Sequence, residues 1–323
     1  MKDRYGREID YMRVSITDRC DLRCRYCMPE GCEKVSMSQI LTYEEIVRIC
    51  RAASELGISR IKITGGEPFV RLGCTELMRR IKAIEGIDEV TVTTNGQTLE
   101  RYIGELKEIG IDGINISLDT LDPERYTYIT GGGELEKTMK SIESSVRSGI
   151  RTKINCLLQK GFNEDELFSF AELAFRFGTY VRFIEMMPVG AADAGTGVSN
   201  TIVLRKLMER WPDLEPDHSI HGNGPAVYYK RPGKEGGIGL ISAIHGKFCE
   251  YCNRVRLTSQ GQLKPCLSFD TGTDLRTALK GTDDELKEVI REAIYEKPKA
   301  HSFTDTENND IHAEHRLMSQ IGG

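Results

Sequence analysis

The sequence predicts an α/β protein built on six parallel strands that form a barrel-like sheet. Six strand-like runs alternate with helical runs between residues 12 and 185, and strands separated by helices are typical of parallel sheets. Within each strand, polar and apolar residues alternate, whereas fully buried parallel strands read as continuous apolar runs. A polar face on every strand fits a barrel with its apolar side against helices and its polar side lining a lumen.

The individual elements follow from local signals along the chain. The predicted strands cover residues 14–17, 61–64, 90–94, 113–118, 154–158 and 181–185. The predicted helices cover residues 42–56, 75–85, 99–109, 134–148 and 163–177. Thr42 and Glu45 form a capping box at the first helix, Asn163 with Glu166 is the predicted cap of the last, and glycines end most of the others. Periodicity does not distinguish a closed barrel from an open sheet.

An antiparallel sheet with one hydrated face would also alternate, but it would not need helices of ten or more residues between its strands. The polar face carries four cations, Arg13, Lys62, Lys153 and Arg182. Burying them without anions would cost several kcal/mol per charge. A polyanionic substrate in the lumen would supply the partners.

The first predicted metal site follows the first strand. Cys20, Cys24 and Cys27 lie within eight residues, and three thiolates this close favour iron or zinc. A zinc site needs a fourth ligand, which locally could only be Cys32, since the first histidine is His218. An iron-sulfur cubane held by three cysteines would instead keep one iron open for a small molecule.

A second group of cysteines follows a change in composition. Residues 191–200 are a linker of small residues, and short strands are predicted at 227–230 and 238–244. Cys249, Cys252 and Cys266 then flank a predicted hairpin at 254–263. A zinc knuckle completed by His245 and a second iron-sulfur cluster both remain open on spacing alone.

The first motif, Cys-x3-Cys-x2-Cys with Tyr26 before its last cysteine, resembles the cluster motif of the radical S-adenosylmethionine (SAM) enzymes. The Gly-Gly-Glu-Pro at 65–68 matches the element that contacts the SAM amino group in those enzymes. With the second cysteine group, Asn-Arg-Val-Arg at 253–256 and a terminal Gly322-Gly323, the chain resembles nearly end to end the MoaA family of GTP 3',8-cyclases, which act in molybdenum cofactor biosynthesis.

This resemblance implies an incomplete six-stranded (β/α)6 TIM-type barrel over residues 1–190 and a C-terminal region over 191–323 that carries a second cluster, substrate contacts and a Gly-Gly tail. It implies two 4Fe-4S clusters, held by Cys20, Cys24 and Cys27 and by Cys249, Cys252 and Cys266. The implied SAM contacts are Tyr26, Gly66, Ser117, Arg182 and Met187. The implied GTP contacts are Arg13, Lys62, Thr93, Lys153, Arg254 and Arg256. The implied catalytic residues are Arg13, Arg254, Arg256, Gly322 and Gly323.

One implied contact departs from the family pattern. Lys62 stands where the family usually has arginine, which keeps the charge but loses a bidentate fork. The implied reaction is reductive cleavage of SAM to methionine and a 5'-deoxyadenosyl radical, removal of the ribose 3'-hydrogen of GTP, and attack of the sugar radical on guanine C8. The protein would position the reactants and exclude water.

Two other functions compete with this one. Another radical SAM enzyme with an auxiliary cluster, such as a peptide maturase, is possible, but those with two auxiliary clusters need more than the three cysteines found beyond residue 200. The other alternative is a non-enzymatic, metal-stapled binding or electron-transfer protein. Such a protein would need neither a SAM site nor the row of inward-facing cations, Arg13, Lys62, Lys153 and Arg182, which is called the basic row below.

The amino-acid composition indicates which kinds of binding partner and which cellular compartment to expect. A net charge of -5 argues against nucleic-acid binding through the overall field. There is no apolar run of about 20 residues for a membrane span and no apolar signal region at the start, so a cytoplasmic protein is expected. Cys50 and Cys156 are predicted in the core, and Cys32 and Cys74 as unliganded thiols. The family further implies a homodimer, a reducing electron donor, and transfer of the product to cyclic pyranopterin monophosphate synthase.

Overall fold

The computed structural model of the protein describes residues 1–31, 35–246, 248–301, 303 and 314–322. Its centre is a run of six strands in chain order, joined by helices. The strands are β1 (Tyr11–Ser15), β2 (Arg60–Thr64), β3 (Glu89–Thr94), β4 (Gly113–Ser117), β5 (Thr152–Leu157) and β6 (Tyr180–Ile184). The helices are α1 (Tyr43–Glu55), α2 (Cys74–Lys82), α3 (Ile103–Ile109), α4 (Pro123–Thr130), α5 (Leu135–Ser148) and α6 (Leu167–Phe177).

Neighbouring central strands are all parallel, and each pairs with the next in the chain. The antiparallel alternative is therefore wrong. The apolar positions of each strand pack against the helices; Val14, Ile61 and Val92, for example, have no exposed surface. The opposite positions face the lumen, as the alternation predicts.

The C-terminal region extends this sheet at both edges. Its elements are α7 (Asn200–Arg210), β7 (Glu215–Pro216), β8 (Val227–Lys230), β9 (Gly237–Ile241), β10 (Arg254–Leu257), β11 (Gln262–Lys264), β12 (Thr273–Asp274), α8 (Asp283–Tyr295) and α9 (Met318–Ile321). Strand β10 pairs in parallel with β1, and β9 pairs in parallel with β6. In the described part of the chain the twelve-stranded sheet ends at β12 and β7 and does not close. The fold is an incomplete TIM-type α/β barrel.

The predicted cap of α6 is wrong. The helix begins at Leu167, and Asn163 makes no capping hydrogen bond. Its buried amide instead donates to the carbonyl oxygens of Asp119 and Leu157 and accepts from the Gln159 backbone N–H at 2.7 Å. Joining the ends of two strands satisfies more buried polar groups than a cap would.

Helices α4 and α8 lie outside the predicted elements, although both carry sequence signals. Helix α4 has Asp122 as its N-cap, accepting from the Arg125 N–H, and a proline at its first position. Helix α8 opens with a capping box of Thr282 and Glu285. The predicted box of Thr42 at α1 is confirmed. Among the described residues, no helix combines the length and the apolar character that crossing a membrane requires.

Candidate active site

The first cysteine triad, Cys20, Cys24 and Cys27, lies in the loop that follows β1. The Cys27 N–H donates to the Cys24 carbonyl oxygen at 2.9 Å, which tightens the loop. The backbone N–H groups of Arg23 and Arg25 donate to carbonyls in the last turn of α4 at 2.8 and 2.9 Å. Helix α4, which the sequence analysis did not predict, therefore supports the cysteine loop.

The thiol of Cys20 receives two hydrogen bonds. The Leu22 backbone N–H lies 3.4 Å from its Sγ, and the Asn95 side-chain amide lies 3.8 Å from it. Burial raises the pKa of Cys20 to about 12, and it raises the pKa of Cys24 well above its usual value. Hydrogen bonds to cluster sulfurs are typical of iron-sulfur sites, and bound metal deprotonates such thiols outright. The donor set therefore fits a cluster.

The zinc alternatives each need a fourth ligand. Within the described ranges, no three His, Cys, Asp or Glu side chains converge closely enough to hold one ion. His245, the possible fourth zinc ligand of the second site, is bonded to Glu185 instead, with 3.1 Å between its Nδ1 and the carboxylate. Cys32, the corresponding candidate at the first site, lies outside the described residues.

The glycine pair at 65–66 lies directly against the cysteine loop. The Gly66 N–H donates to the Thr17 carbonyl at 2.7 Å. A Cβ atom on Gly66 would lie 2.3 Å from the Arg19 carbonyl oxygen, and one on Gly65 would lie 2.7 Å from that of Thr17. Contact between the two loops, rather than space for a ligand, accounts for the absence of side chains here.

Glu67 connects this loop to the end of β3. Its buried carboxylate accepts from the backbone N–H groups of Phe69 at 3.1 Å and Asn95 at 2.7 Å and from the Thr94 hydroxyl at 2.8 Å. Burial raises the pKa of Glu67 to about 7. The Asn95 amide in turn donates to Asp21 in the cysteine loop at 2.7 Å. The loop Thr94-Asn95-Gly96 follows a strand, which marks it for the active face of a barrel, but the sequence did not predict the partners of Asn95.

Among the expected SAM contacts, Tyr26 and Arg182 have defined partners. The Tyr26 hydroxyl donates to Asp119 at 2.6 Å, and burial raises the pKa of Asp119 to about 6. The buried Arg182 guanidinium donates to the amide oxygens of Asn115 at 2.6 Å and Asn155 at 2.6 and 2.9 Å. Neither interaction was anticipated, because these partners are far apart in the sequence.

The other expected SAM contacts lie at the same end of the barrel. Ser117 is the last residue of β4, and Met187 follows β6 by three residues. Parallel strands deliver their carboxyl ends to one rim, so the ends of β4 and β6 meet the loop after β1 there.

Strand register brings two cations of the predicted row together with an arginine of the C-terminal region. Arg13 lies between Lys62 of β2 and Arg256 of β10, and Arg254 lies beside Tyr11. Burial lowers the pKa values of Arg13, Lys62 and Arg256, and neighbouring cations lower each of them further. These side chains are gathered at a site that favours an anion.

Lys153 and Thr93 lie on the same cavity. Lys153 donates to the Tyr228 hydroxyl at 3.2 Å and to the His221 carbonyl. Burial lowers its pKa to about 7, and Arg182 adds to this effect. The buried hydroxyl of Thr91, on the same wall, has no hydrogen-bond partner within the described residues, so the wall keeps a polar atom for a ligand.

The charge balance of this cavity is strongly positive. Among its described lining residues Glu89 is the one carboxylate, and it already pairs with Arg151 at 2.5 Å. The cations on the wall are Arg13, Lys62, Arg151, Lys153, Arg182 and Arg254. Such a wall is complementary to a polyanion.

The second cysteine triad, Cys249, Cys252 and Cys266, lies beside the basic row. The Cys249 Sγ receives the His301 N–H at 3.4 Å. Burial acts to raise the pKa of Cys252, but the charges of Arg254 and Lys297 outweigh it and lower the pKa to about 7. Hydrogen-bonded thiols beside cations also fit a cluster.

The C-terminal tail enters the barrel. Arg256 donates to the Gly322 carbonyl oxygen. A Cβ atom on Gly322 would lie 2.9 Å from the Ser15 Cβ and 3.0 Å from the Thr64 hydroxyl oxygen, and its φ of 82° also favours glycine. Gly323 lies outside the described residues.

An incomplete α/β barrel with a three-cysteine loop after its first strand defines a radical SAM enzyme. The profile of the Radical SAM superfamily matches residues 14–174, and that of Molybdenum Cofactor Synthesis C matches residues 179–303. The chain is 40% identical to a GTP 3',8-cyclase of Clostridium perfringens (strain SM101 / Type A) over 100% of both chains. It is 44% identical to that of Alkaliphilus oremlandii (strain OhILAs), again over 100% of both. The chain belongs to the GTP 3',8-cyclase family.

Membership identifies the chain as an enzyme whose cofactors are SAM and two 4Fe-4S clusters. The peptide-maturase and non-enzymatic alternatives are therefore wrong. Solved structures support the fold. Streptococcus suis SuiB bound to S-adenosylmethionine matches with a TM-score of 0.68 at 15% identity, covering 89% of this chain and 67% of that one. The protein anSMEcpe with bound AdoMet matches with a TM-score of 0.59 at 14% identity, covering 91% and 82%.

Proposed function

We propose that the chain converts GTP into (8S)-3',8-cyclo-7,8-dihydroguanosine 5'-triphosphate in molybdenum cofactor biosynthesis. The observation that carries this proposal is the cavity lined by six cations and one carboxylate. Lys153 and Arg182 are buried, and burial together with the charge of Arg182 lowers the pKa values of Lys62 and Lys153. A triphosphate would offset that repulsion, because it places several negative charges among them.

Different residues that line the cavity contact different parts of the substrate in this proposal. We assign Lys62, Lys153 and Thr93 to the triphosphate and ribose, with Arg13 between them and the second triad. Lys62 acts as a point charge rather than a fork. Arg254 donates to the Cys252 Sγ at 3.9 Å, and Arg256 lies beside Arg13. We therefore assign both arginines to hold the nucleotide against the second cluster, whose open iron would bind guanine.

The first triad serves SAM. When bound, its cluster would pass one electron from the reductant to SAM, which would be cleaved to methionine and the 5'-deoxyadenosyl radical that takes the ribose 3'-hydrogen. The Gly66 N–H is already bonded to Thr17, so we assign its carbonyl oxygen, and not its N–H, to the SAM amine. Arg182, Ser117 and Met187 orient the rest of SAM from the same rim. Tyr26 acts by holding the loop to Asp119, and the packed loops exclude water from the radical.

The tail completes the site. Gly322 lies between Arg256 and the ends of β1 and β2, and we assign Gly322 and Gly323 to ordering the substrate for radical transfer. Residues without side chains are suited to this crowded position.

The family resemblance also leads us to propose a homodimer in the cytoplasm that takes electrons from a reducing donor. Its product would pass to cyclic pyranopterin monophosphate synthase. The division into a barrel of residues 1–190 and a cluster-bearing region of 191–323 remains a prediction, since strands of both parts share one sheet.

The test uses the full chain, reconstituted anaerobically with iron and sulfide. GTP deuterated at the ribose 3' position is supplied with SAM and a reductant, and the products are separated by mass spectrometry. We expect the cyclised nucleotide, with deuterium in 5'-deoxyadenosine. Arg254→Ala and Arg256→Ala should reduce GTP turnover far more than iron content, because these side chains pair with anions and do not bind metal. Deuterium-free 5'-deoxyadenosine and unaltered GTP would contradict the proposal.

A further inference from the structure

A buried ion pair anchors the start of the C-terminal tail, which here means residues 314–322. The Lys264 ammonium lies 2.5 Å from the Glu314 carboxylate, and both side chains are completely inaccessible to solvent. Lys264 also donates to the carbonyl oxygens of Phe269 and, at 3.4 Å, Thr271. Burying two charges costs free energy that is offset only when the two groups are closely matched in position. The two side chains are therefore held in one arrangement.

The Glu314 carboxylate is satisfied on both oxygens. Arg316 donates to Oε1 at 2.9 Å and to Oε2 at 2.8 Å, and Lys264 donates to Oε2. The Glu314 backbone N–H donates to the Ser268 carbonyl at 3.0 Å. Side chain and backbone therefore fix this point of the tail to the segment after β11.

That segment contains a ligand of the second cluster. Lys264 and Ser268 stand two residues to either side of Cys266, and the Ser268 hydroxyl lies 3.3 Å from the Cys266 Sγ. At Glu314, the tail is thus attached to the loop that presents the cysteine.

From this attachment the chain runs into the active site. Gly190 contacts the tail closely, since a Cβ there would lie 3.0 Å from the Leu317 Cα. Ser319 and Ile321 are buried, at 1% and 0% exposure, and Gly322 then meets Arg256. Glu314 precedes Gly322 by eight residues, so its position determines how far the tail reaches.

We propose that Glu314 and Lys264 form a latch that positions Gly322 in the active site without touching substrate or cofactor. They are positioning residues for cyclisation, and this role rests on the proposed function of the tail. Because Glu314 contacts Lys264 and Ser268 on either side of Cys266, the tail would be positioned only when the loop of the second cluster is formed.

Replacing one residue of the Lys264–Glu314 pair and replacing both should have opposite effects on the position of the tail. Removing Glu314 leaves the Lys264 ammonium buried without its carboxylate, and removing Lys264 leaves Glu314 with Arg316 but with one buried charge fewer to balance it. Replacing both residues of a buried pair with apolar residues of similar volume is often neutral. Glu314→Gln and Lys264→Met should therefore release the tail, and the double variant Lys264→Met/Glu314→Leu should seat it again. Glu136→Gln, which removes an exposed ion pair with Lys140 at 2.8 Å, is the control.

The experiment uses reconstituted full-length protein and three measurements: hydrogen exchange of backbone amides 314–322, iron content, and kcat and KM for GTP. Each single variant should exchange these amides at least about tenfold faster and lose at least about tenfold in kcat, with KM within about twofold. Iron content should not change. The double variant should regain the slow amide exchange and the kcat of the parent, and the control variant should match the parent in all three measurements.

Unchanged exchange in both single variants would overturn the latch. Loss of iron or general unfolding in the single variants would also overturn it, since the pair would then be a core element rather than a positioning one. Failure of the double variant to recover would show that the tail needs the charges themselves. If the parent protein cyclises no GTP, the proposed function fails, and the exchange data alone decide the latch.

Discussion

We predict that GTP binding depends on pH, because Lys153 has a lowered pKa. The ammonium is buried at 7% exposure, and it faces the carbonyl of His221 and the hydroxyl of Tyr228. Burial first, then Arg182, lowers its pKa to about 7. A bound triphosphate favours the charged form and raises the pKa again, so binding should take up a proton.

The size of the effect follows from this pKa. At about pH 8, about nine-tenths of the free protein carries neutral Lys153, so each GTP bound should take up about 0.9 proton at this residue. Affinity has its full value below about pH 7. It falls by up to about tenfold per pH unit as the pH rises toward the pKa of the complex.

The assay is isothermal titration calorimetry of GTP in buffers of different ionisation enthalpy, which measures proton uptake directly. Lys153→Arg keeps a positive charge at all these pH values and should lose this uptake. Lys137→Arg, a half-exposed lysine paired with Glu134, is the matched control. Titration of the nucleotide phosphates is common to all three proteins and cancels in the comparison.

Two results would refute this reasoning. Equal proton uptake by the parent and Lys153→Arg at about pH 8 would show that another group titrates. A parent affinity that increases between about pH 7 and pH 9 would contradict the lowered pKa itself.

Three further predictions concern the clusters and the tail. Replacing any one cysteine of the first triad with serine should abolish SAM cleavage and lower iron from about eight to about four per chain; retained cleavage would remove the cluster assignment. Gly66→Ala should displace the cysteine loop and cost about half of the iron, because its Cβ would lie 2.3 Å from a backbone oxygen, whereas Gly104→Ala, with open space around it, should leave iron unchanged. Replacing Gly322 and Gly323 with alanine should preserve both clusters and the GTP dissociation constant but stop cyclisation, and full product formation would contradict the role of the tail.

Much of the barrel could be predicted from the sequence, because its signals are local. A period of two along each strand separates inward Lys62 from buried Ile61 and Ile63. Glycines and capping residues mark most helix ends. The alternation also predicted which cations share the lumen, because odd and even positions along a strand face opposite sides of the sheet. The two triads could be identified from spacing, and the family resemblance added their ligand roles.

Only the tertiary structure decided which residues support those groups. Glu67 bonds Asn95 across 28 residues, Lys264 pairs with Glu314 across 50, and Arg7 donates to the Cys249 carbonyl across 242. Each pairing depends on where strands and loops meet after the sheet has formed, and no local period records that separation. The sequence therefore determined the barrel, its inward charges and its thiols. The packing of distant segments determined how those thiols are hydrogen-bonded, how the cations acquire their pKa values, and how the tail reaches the site.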